Sequence, residues 1–303
     1  MRVAVVVLNW NGLADTRRCL ESLRAQPYRA VVPIVVDNGS SDRNEAHVLA
    51  QEFPEVHVVP LACNLGFGKG VAAGVEAARG LGADHLMLLN NDARIDASND
   101  TFEKLLTALA ADAGVGAVAP VILEDDPPHQ IQSAGHAFSL WTGYPKRLMA
   151  NEPRDAALRT LQPTFIVAAC LVMRLADFDR VGGFDPDFFV YSEDFDLGLR
   201  MRALGLKQAL VPGAFVYHKK AAATTMWSAR HCYLMMRSHL ILVTKHARWF
   251  HWFTLGPGLL IISLGMIVYG LRNGRPDAAA GVARGWRDFF LRRWGDPAAV
   301  SGS

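Results

Sequence analysis

The sequence predicts an α/β protein whose sheet is mostly parallel and carries helices on both faces. Three observations predict it. Short apolar, β-branched runs alternate with segments of helical spacing, which is the pattern of repeated β-α-β units. The early runs stop at turns rich in Asn, Asp and Gly, as strands ending at one edge of a sheet do. A chain of 303 residues with 51% hydrophobic residues, 20% charged residues and a mean hydropathy of +0.14 also supplies a substantial core, which excludes a collagen, a coiled coil or a disordered tail.

Residues 3–8 read as a buried strand that closes at Asn9-Trp10-Asn11-Gly12, and 13–26 have helical spacing through Leu13, Cys19, Leu20 and Leu23. The next strand, 31–36, stops at Asp37-Asn38-Gly39-Ser40-Ser41-Asp42 and completes the first unit. The pattern repeats with a helix near 43–53, a strand near 56–60, a helix over 68–78 and a strand over 85–89 that ends at Asn90-Asn91-Asp92. In sheets of this kind ligands bind beyond the carboxyl ends of the strands, so Asn9/Asn11, Asp37/Asn38 and Asn90/Asp92 mark one polar end. Turn chemistry accounts for any single cluster, and three together point to a site.

A helix over 102–111 and a strand over 115–121 follow, and then an irregular Pro- and His-containing stretch, 124–163, with short strands around Ile131 and Phe138. Long connections of this type carry specificity. Residues 165–173 read as a strand, 175–181 and Gly182-Gly183-Phe184-Asp185 follow, and Glu193-Asp194-Phe195-Asp196 opens the helix that runs to Leu204. Carboxylates there suit the helix dipole, which leaves a capping role open to at least one of them.

Charge is distributed unevenly. Before Arg200 there are 16 basic and 26 acidic residues, and from Arg200 onward 15 basic and 3 acidic, so an overall charge of +2 hides a basic final third. That third suits an anionic surface, membrane or nucleic acid, or is simply a solvated face, and charge alone does not choose; over the whole chain no nucleic-acid partner is expected. Residues 226–246 are amphipathic and basic, and 252–271 carry no formal charge between Arg248 and Arg272. Gly256-Pro257-Gly258 predicts a break, which leaves 259–271 about 20 Å of helix against a hydrocarbon core of about 30 Å. The favoured reading is a peripheral or re-entrant membrane contact through about 226–272; a true span and a buried or oligomer-forming helix are the alternatives, and 226–246 also suits a homodimer face. Cys19, Cys63, Cys170 and Cys232 have no metal or redox spacing, and no basic-then-apolar leader precedes the first strand, which fits reduced thiols in a cytoplasmic protein.

Six motifs in order resemble one family. They are Val5-Val6-Val7-Leu8-Asn9-Trp10-Asn11-Gly12, Val35-Val36-Asp37-Asn38-Gly39-Ser40-Ser41-Asp42, Asn64-Leu65-Gly66-Phe67-Gly68-Lys69-Gly70, Leu88-Leu89-Asn90-Asn91-Asp92, Gly182-Gly183-Phe184-Asp185 and Ser192-Glu193-Asp194-Phe195-Asp196. Together they resemble the family 2 glycosyltransferases, inverting enzymes of the GT-A fold, and within them the bacterial rhamnosyltransferase-like branch. The resemblance covers about residues 3–220 and implies a GT-A domain over 1–222, with a donor half (1–96) and an acceptor half (97–222), followed by a basic and apolar helical extension, 223–303.

The resemblance also implies roles. Asp37 accepts from the imide of uracil or thymine, Leu8, Asn9, Asn11, Asn38 and Gly66 to Gly70 line the nucleotide, and Lys69 lies near phosphate. Asn90-Asn91-Asp92 stands where the family carries Asp-x-Asp, so Asp92 holds Mg²⁺ or Mn²⁺ on the donor diphosphate, and Asn90 in the first acidic position removes one charge. His218 matches a late histidine that completes the metal shell; Lys219 and Lys220 after it can neutralise the leaving diphosphate. Asp194 is the base, Glu193 orients it or the acceptor, Asp196 braces the helix, and Arg200 and Arg202 pair locally with these carboxylates. The implied reaction is transfer of L-rhamnose from dTDP-rhamnose to a lipid-linked or surface-glycan acceptor at the cytoplasmic face of a bacterial membrane, in cell-wall or polysaccharide biosynthesis. The alternatives are another sugar (a UDP-hexose, UDP-N-acetylhexosamine or galactofuranose donor), a sugar-1-phosphate nucleotidyltransferase, for which Asn9-Trp10-Asn11-Gly12 is a poor triphosphate loop, and a non-catalytic scaffold.

Overall fold

A computed structural model describes residues 1–96, 100–127, 129–158, 163, 165–219 and 226–295. The first half alternates as its hydrophobic pattern requires: β1 (Val3–Asn9), α1 (Leu13–Arg24), β2 (Val31–Asp37), α2 (Glu45–Glu52), β3 (His57–Pro60), α3 (Phe67–Gly80) and β4 (His85–Asn90). These four strands are parallel in the order β3-β2-β1-β4. Val3, Val5 and Val7 face one core layer and Ala4 and Val6 the other, so the continuous apolar run is a strand covered on both faces.

The second half follows as β5 (Ala93–Arg94), α4 (Thr101–Ala111), β6 (Val115–Glu124), β7 (Ile131–Ser133), β8 (His136–Phe138), β9 (Pro145–Arg147), β10 (Cys170–Arg174), α5 (Leu175–Val181), α6 (Glu193–Ala203) and β11 (Lys207–His218). β10 inserts antiparallel between β4 and β6, β11 runs parallel to β6, and β8 and β9 form a separate hairpin. Register aligns the polar strand ends, with Leu8 opposite Asn90 and Asn9 opposite Asp37. The three turn clusters therefore stand side by side.

Two expectations need correction. Residues 165–169 are not a strand: Phe165 makes an isolated bridge to His136 of the hairpin, and farther on the Ala169 carbonyl accepts from the Asn90 amide of β4 while the Ala168 main chain bonds to the Asp194 carboxylate. The predicted break at Gly256-Pro257-Gly258 does not occur either. After α7 (Ala229–His246) the helix α8 runs unbroken over Trp252–Arg272, and α9 is Ala278–Phe290. Pro257 forfeits only the bond to the Phe253 carbonyl, on an exposed side of the helix, while Leu255 and Leu259 hold both flanking turns in the core. Gly258 is needed for another reason: a Cβ there would lie 2.5 Å from the Thr142 carbonyl oxygen.

The C-terminal helices are not all surface elements. α7 is covered by α6 and α9, which occupies the face that 226–246 offered to a second copy or a membrane, and its Arg237 is fully buried, donating to Tyr233 Oη (3.0 Å) and the Gly295 carbonyl (2.8 Å). One core cluster joins Phe138, Phe165 and Phe188 to Met236, Leu240, Leu255, Leu259 and Val282, across the expected boundary. α8 buries Leu255, Leu259, Ser263, Met266 and Gly270 and exposes Leu260, Ile261, Leu264, Val268 and Leu271. Trp249–Arg272 is the single stretch among the described residues long and apolar enough to cross a membrane.

Candidate active site

The strand ends hold their side chains by a dense network. Asn9 is fully buried; its Nδ2 donates to Asp37 Oδ1 (3.1 Å), Ser40 Oγ (3.2 Å) and Glu45 Oε2 (2.7 Å), while its Oδ1 accepts from Thr16 Oγ1 (2.7 Å). Ser40 Oγ also donates to Asp37 Oδ1 at 2.5 Å, so the bonds that fix Asp37 fall on one oxygen. Asn38 Nδ2 donates to Asn64 Oδ1 and the Gly66 carbonyl (both 3.1 Å), and its Oδ1 accepts from the Leu65 amide (3.0 Å). The side chains of both asparagines serve positioning, which leaves their main chains at the strand ends: Asn9 bonds to Asp37, and Asn38 ties the 64–66 loop to the end of β2. Asn11 Oδ1 accepts from the Ser41 amide (2.7 Å) and links the first two loops.

The Gly66–Gly70 loop is also explained by packing. Gly66 has φ +84°, and a Cβ there would lie 2.4 Å from the Phe189 carbonyl oxygen, which also accepts from the Phe67 amide (2.7 Å). At Gly66 the close approach is thus made by the protein itself, and Lys69 is the loop's exposed charge.

Asp92, His218 and Asn90 converge. His218 Nε2 lies 3.1 Å from Asp92 Oδ1 and 3.2 Å from Asn90 Nδ2, and its Nδ1 meets Gln132 Oε1 at 2.8 Å. Gln132 can only accept there, so it holds the proton on Nδ1 and turns the Nε2 lone pair toward Asp92. Two lone-pair donors facing one point are what a divalent cation bridges, although no group of three or more His, Cys, Asp or Glu side chains suited to a metal occurs among the described residues. The set fits Mg²⁺ or Mn²⁺ with the remaining ligands from phosphate and water. Asn91 turns away, its Nδ2 donating to Thr16 Oγ1 (3.1 Å). Lys219 pairs with Asp15 (3.0 Å), and Lys220 lies outside the described residues.

Opposite them stands the acid pair, entered through two non-glycine residues at positive φ, Tyr191 (+71°) and Ser192 (+67°). Glu193 is buried, its Oε2 has no hydrogen-bond partner, and burial and then the neighbouring Asp194 charge push its carboxyl well above the usual range. Burial raises Asp194 as well, but less, because the main-chain N–H groups of Phe195 (2.9 Å to Oδ1) and Ala168 stabilise its anion. Asp196 bridges α6 to α7: burial opposes its charge, yet His246 Nε2 (2.8 Å) and Arg200 (2.7 Å) hold it below the usual range. Arg202 instead lies over the Phe165 ring. A cavity of about 660 Å³ contains Glu193, Asp194, Asn90 and His218. Its wall includes residues the sequence did not single out, among them Gln132, His136, Arg147 and His239; only their place in or after the long irregular connection marked them.

This arrangement is the GT-A glycosyltransferase fold. The chain aligns with a solved GalNAc-T7 holding UDP, GalNAc and Mn²⁺ (TM-score 0.66, 16% identity, covering 80% of this chain and 48% of that one). It also aligns with a Pyrobaculum calidifontis mannosyltransferase in complex with GDP-Man and Mn²⁺ (TM-score 0.56, 18% identity, covering 100% of this chain and 76% of that one). The profile of the glycosyltransferase-like family 2 matches residues 1–238, and the chain belongs to that family: it is a glycosyltransferase. A relative from Mycobacterium tuberculosis, an N-acetylglucosaminyl-diphospho-decaprenol L-rhamnosyltransferase, is 29% identical over 295 residues, 89% of this chain and 94% of the relative.

Proposed function

We propose that the enzyme is an inverting, metal-assisted rhamnosyltransferase that moves L-rhamnose from dTDP-rhamnose to a lipid-linked saccharide at the cytoplasmic face of a bacterial membrane. The observation that carries the reading is that one cavity contains both the Glu193–Asp194 pair and the Asn90–His218 corner beside Asp92. The sugar and the lipid-linked acceptor follow the M. tuberculosis relative.

Asp37, held by Asn9 and Ser40, accepts the thymine imide N–H, and Leu8 and Asn11 border the nucleotide. Lys69 offers its charge to the diphosphate. A divalent cation, when bound by Asp92 and His218 with Asn90 beside them, neutralises the diphosphate leaving group. Asp194 is the more readily ionised of the acid pair and takes the acceptor hydroxyl proton; Glu193 keeps its own proton and donates a hydrogen bond to the acceptor. The acceptor oxygen bonds to the anomeric carbon from the side opposite the diphosphate, the C1–O bond breaks, and its electron pair leaves with dTDP, inverting the centre.

Membrane contact is assigned to α8. Its 21 residues span about 31 Å at the helical rise, enough to cross a bilayer. Leu255, Leu259, Ser263, Met266 and Gly270 pack one stripe of it into the protein, however, which favours a helix lying in the interface with Leu260, Ile261 and Leu264 in lipid and Arg248, Arg272 and Arg275 among headgroups.

A donor panel tests the proposal: dTDP-rhamnose, UDP-glucose, UDP-galactose, UDP-N-acetylglucosamine and GDP-mannose, with Mg²⁺, Mn²⁺ or EDTA, reading nucleoside diphosphate release with a lipid-linked acceptor. Metal-dependent release from dTDP-rhamnose is expected. Release from another donor replaces the sugar, and silence without thermal stabilisation by dTDP refutes the reading.

A further inference from the structure

Beyond the acid pair the cavity continues between α7, α8 and the β8–β9 hairpin, and its chemistry changes along the way. Beside Asn90 and His218 it is polar. Farther in, Met235, Met236, Leu242, Ile262 and Met266 wall it, with Phe138 at its side. A saccharide alone is a poor occupant of such a wall, because its hydroxyls would lose water without gaining partners. Within this lobe His239 is 8% exposed; burial pushes the imidazole down to about 4, against the Gly143 main chain that bonds to it, so it is neutral at physiological pH. An uncharged imidazole in an apolar wall tolerates hydrocarbon where a charged group would not. Ile262 and Met266 belong to α8, whose opposite face carries the exposed Leu260, Ile261 and Leu264, so the lobe backs onto the surface assigned to the membrane.

We propose that this α7–α8 lobe receives the hydrocarbon adjoining the acceptor's diphosphate, so that the enzyme reads the lipid as well as the sugar it extends. The inference rests on the reading of a lipid-linked acceptor. It commits to one occupant, a prenyl-type chain, on the continuity of the apolar lobe with the acid pair in one cavity and on the wall that Ile262 and Met266 give it from α8, the helix whose outer face is apolar. The lobe then orients the acceptor hydroxyl toward Asp194 by anchoring the chain behind it.

The test is calorimetric titration of the full-length protein with farnesyl diphosphate, with inorganic diphosphate and with dTDP. Farnesyl diphosphate should bind at least tenfold more tightly than inorganic diphosphate. Ile262→Trp, which fills the lobe at a partly buried position, and Ile262→Asp, which charges it, should each remove that preference and leave dTDP affinity unchanged, which also reports an intact fold. Equal binding of the two diphosphates, or a farnesyl preference that both variants retain, overturns the proposal. Transfer assays on the same samples separate the two levels. If the wild type extends no farnesyl-diphospho-N-acetylglucosamine with any donor, the lipid-linked reading falls and the lobe with it. If it does, and both variants extend it equally well, the lobe alone is refuted.

Discussion

Replacing Asp194 by Asn separates catalysis from stability, and the two effects have opposite signs. Loss of a general base typically costs 10²- to 10⁴-fold in rate, about 3 to 5 kcal/mol of barrier. Asn keeps the size of the side chain and an oxygen for the Phe195 amide, so donor binding should persist. Folding responds differently because burial raises both carboxyls: the folded state disfavours their charge, so each contributes stability at low pH that is lost as pH rises through its raised folded value. The amide abolishes one of these penalties and relieves repulsion on Glu193, against about 1 kcal/mol for a weakened main-chain bond. Asp194→Asn should therefore lose at least a hundredfold in kcat, bind dTDP normally, and melt no lower than the wild type at pH 8, an advantage that disappears near pH 5. Single-turnover transfer, dTDP titration and thermal melts at the two pH values measure all three. A variant within tenfold of wild-type turnover, with dTDP affinity intact, would refute Asp194 as the base.

Other perturbations follow from the same geometry. The acid limb of kcat/KM should lie above the usual carboxylate range, since activity falls as pH drops through the raised value of Asp194; a limb at or below the range of an exposed Asp would contradict the burial argument. Gln132→Leu frees the His218 Nδ1 proton from its acceptor and should weaken Mn²⁺ by 10- to 100-fold, read as a right-shifted metal activation curve at saturating donor. Asp196→Ala removes the carboxylate that ties His246 and Arg200 to α6, leaving Arg200 only the Val181 carbonyl, and should cost about 2 to 3 kcal/mol in a denaturant melt, because the carboxylate is 1% exposed while its partners keep some solvent. Ile261→Glu with Leu264→Glu should release the protein from anionic vesicles in a flotation assay without altering dTDP affinity.

The strand ends were legible because parallel strands buried on both faces announce themselves as continuous apolar runs, and a turn must follow each of them. The register that places Leu8 beside Asn90 and Asn9 beside Asp37 adds only that the runs start level. The direction in which a polar side chain points was not legible. Asn9 and Asn38 belong to turn clusters, yet they bond inward, and nothing local distinguishes them from Asn11. The glycines of 66–70 face the same ambiguity, since a close approach reads identically in sequence whether a phosphate or the Phe189 carbonyl makes it. Pro257 misled for the opposite reason: its local cost is real, but Leu255 and Leu259 pack on either side of it, and tertiary burial outweighs one lost hydrogen bond.

Catalytic tuning depends on elements from both ends of the chain. The sheet edge brings Asp92 and His218 together, whereas Glu193 and Asp194 open α6. The cavity they share has an apolar wall built from Met235, Met236 and Leu242 of α7, Ile262 and Met266 of α8, and Phe138 of the β8–β9 hairpin. The same helices share a core with Phe165 and Phe188 and, through His246, brace Asp196 two residues from the base. The apolar C-terminal third therefore walls the cavity of the acid pair, whose carboxyls burial raises, and it also carries the face assigned to the membrane. A helix that contacted lipid without packing on the sheet domain would deliver the acceptor to a wet site with ordinary carboxylates, so under the proposed function the membrane contact and the strength of the proposed base would be set by the same packing.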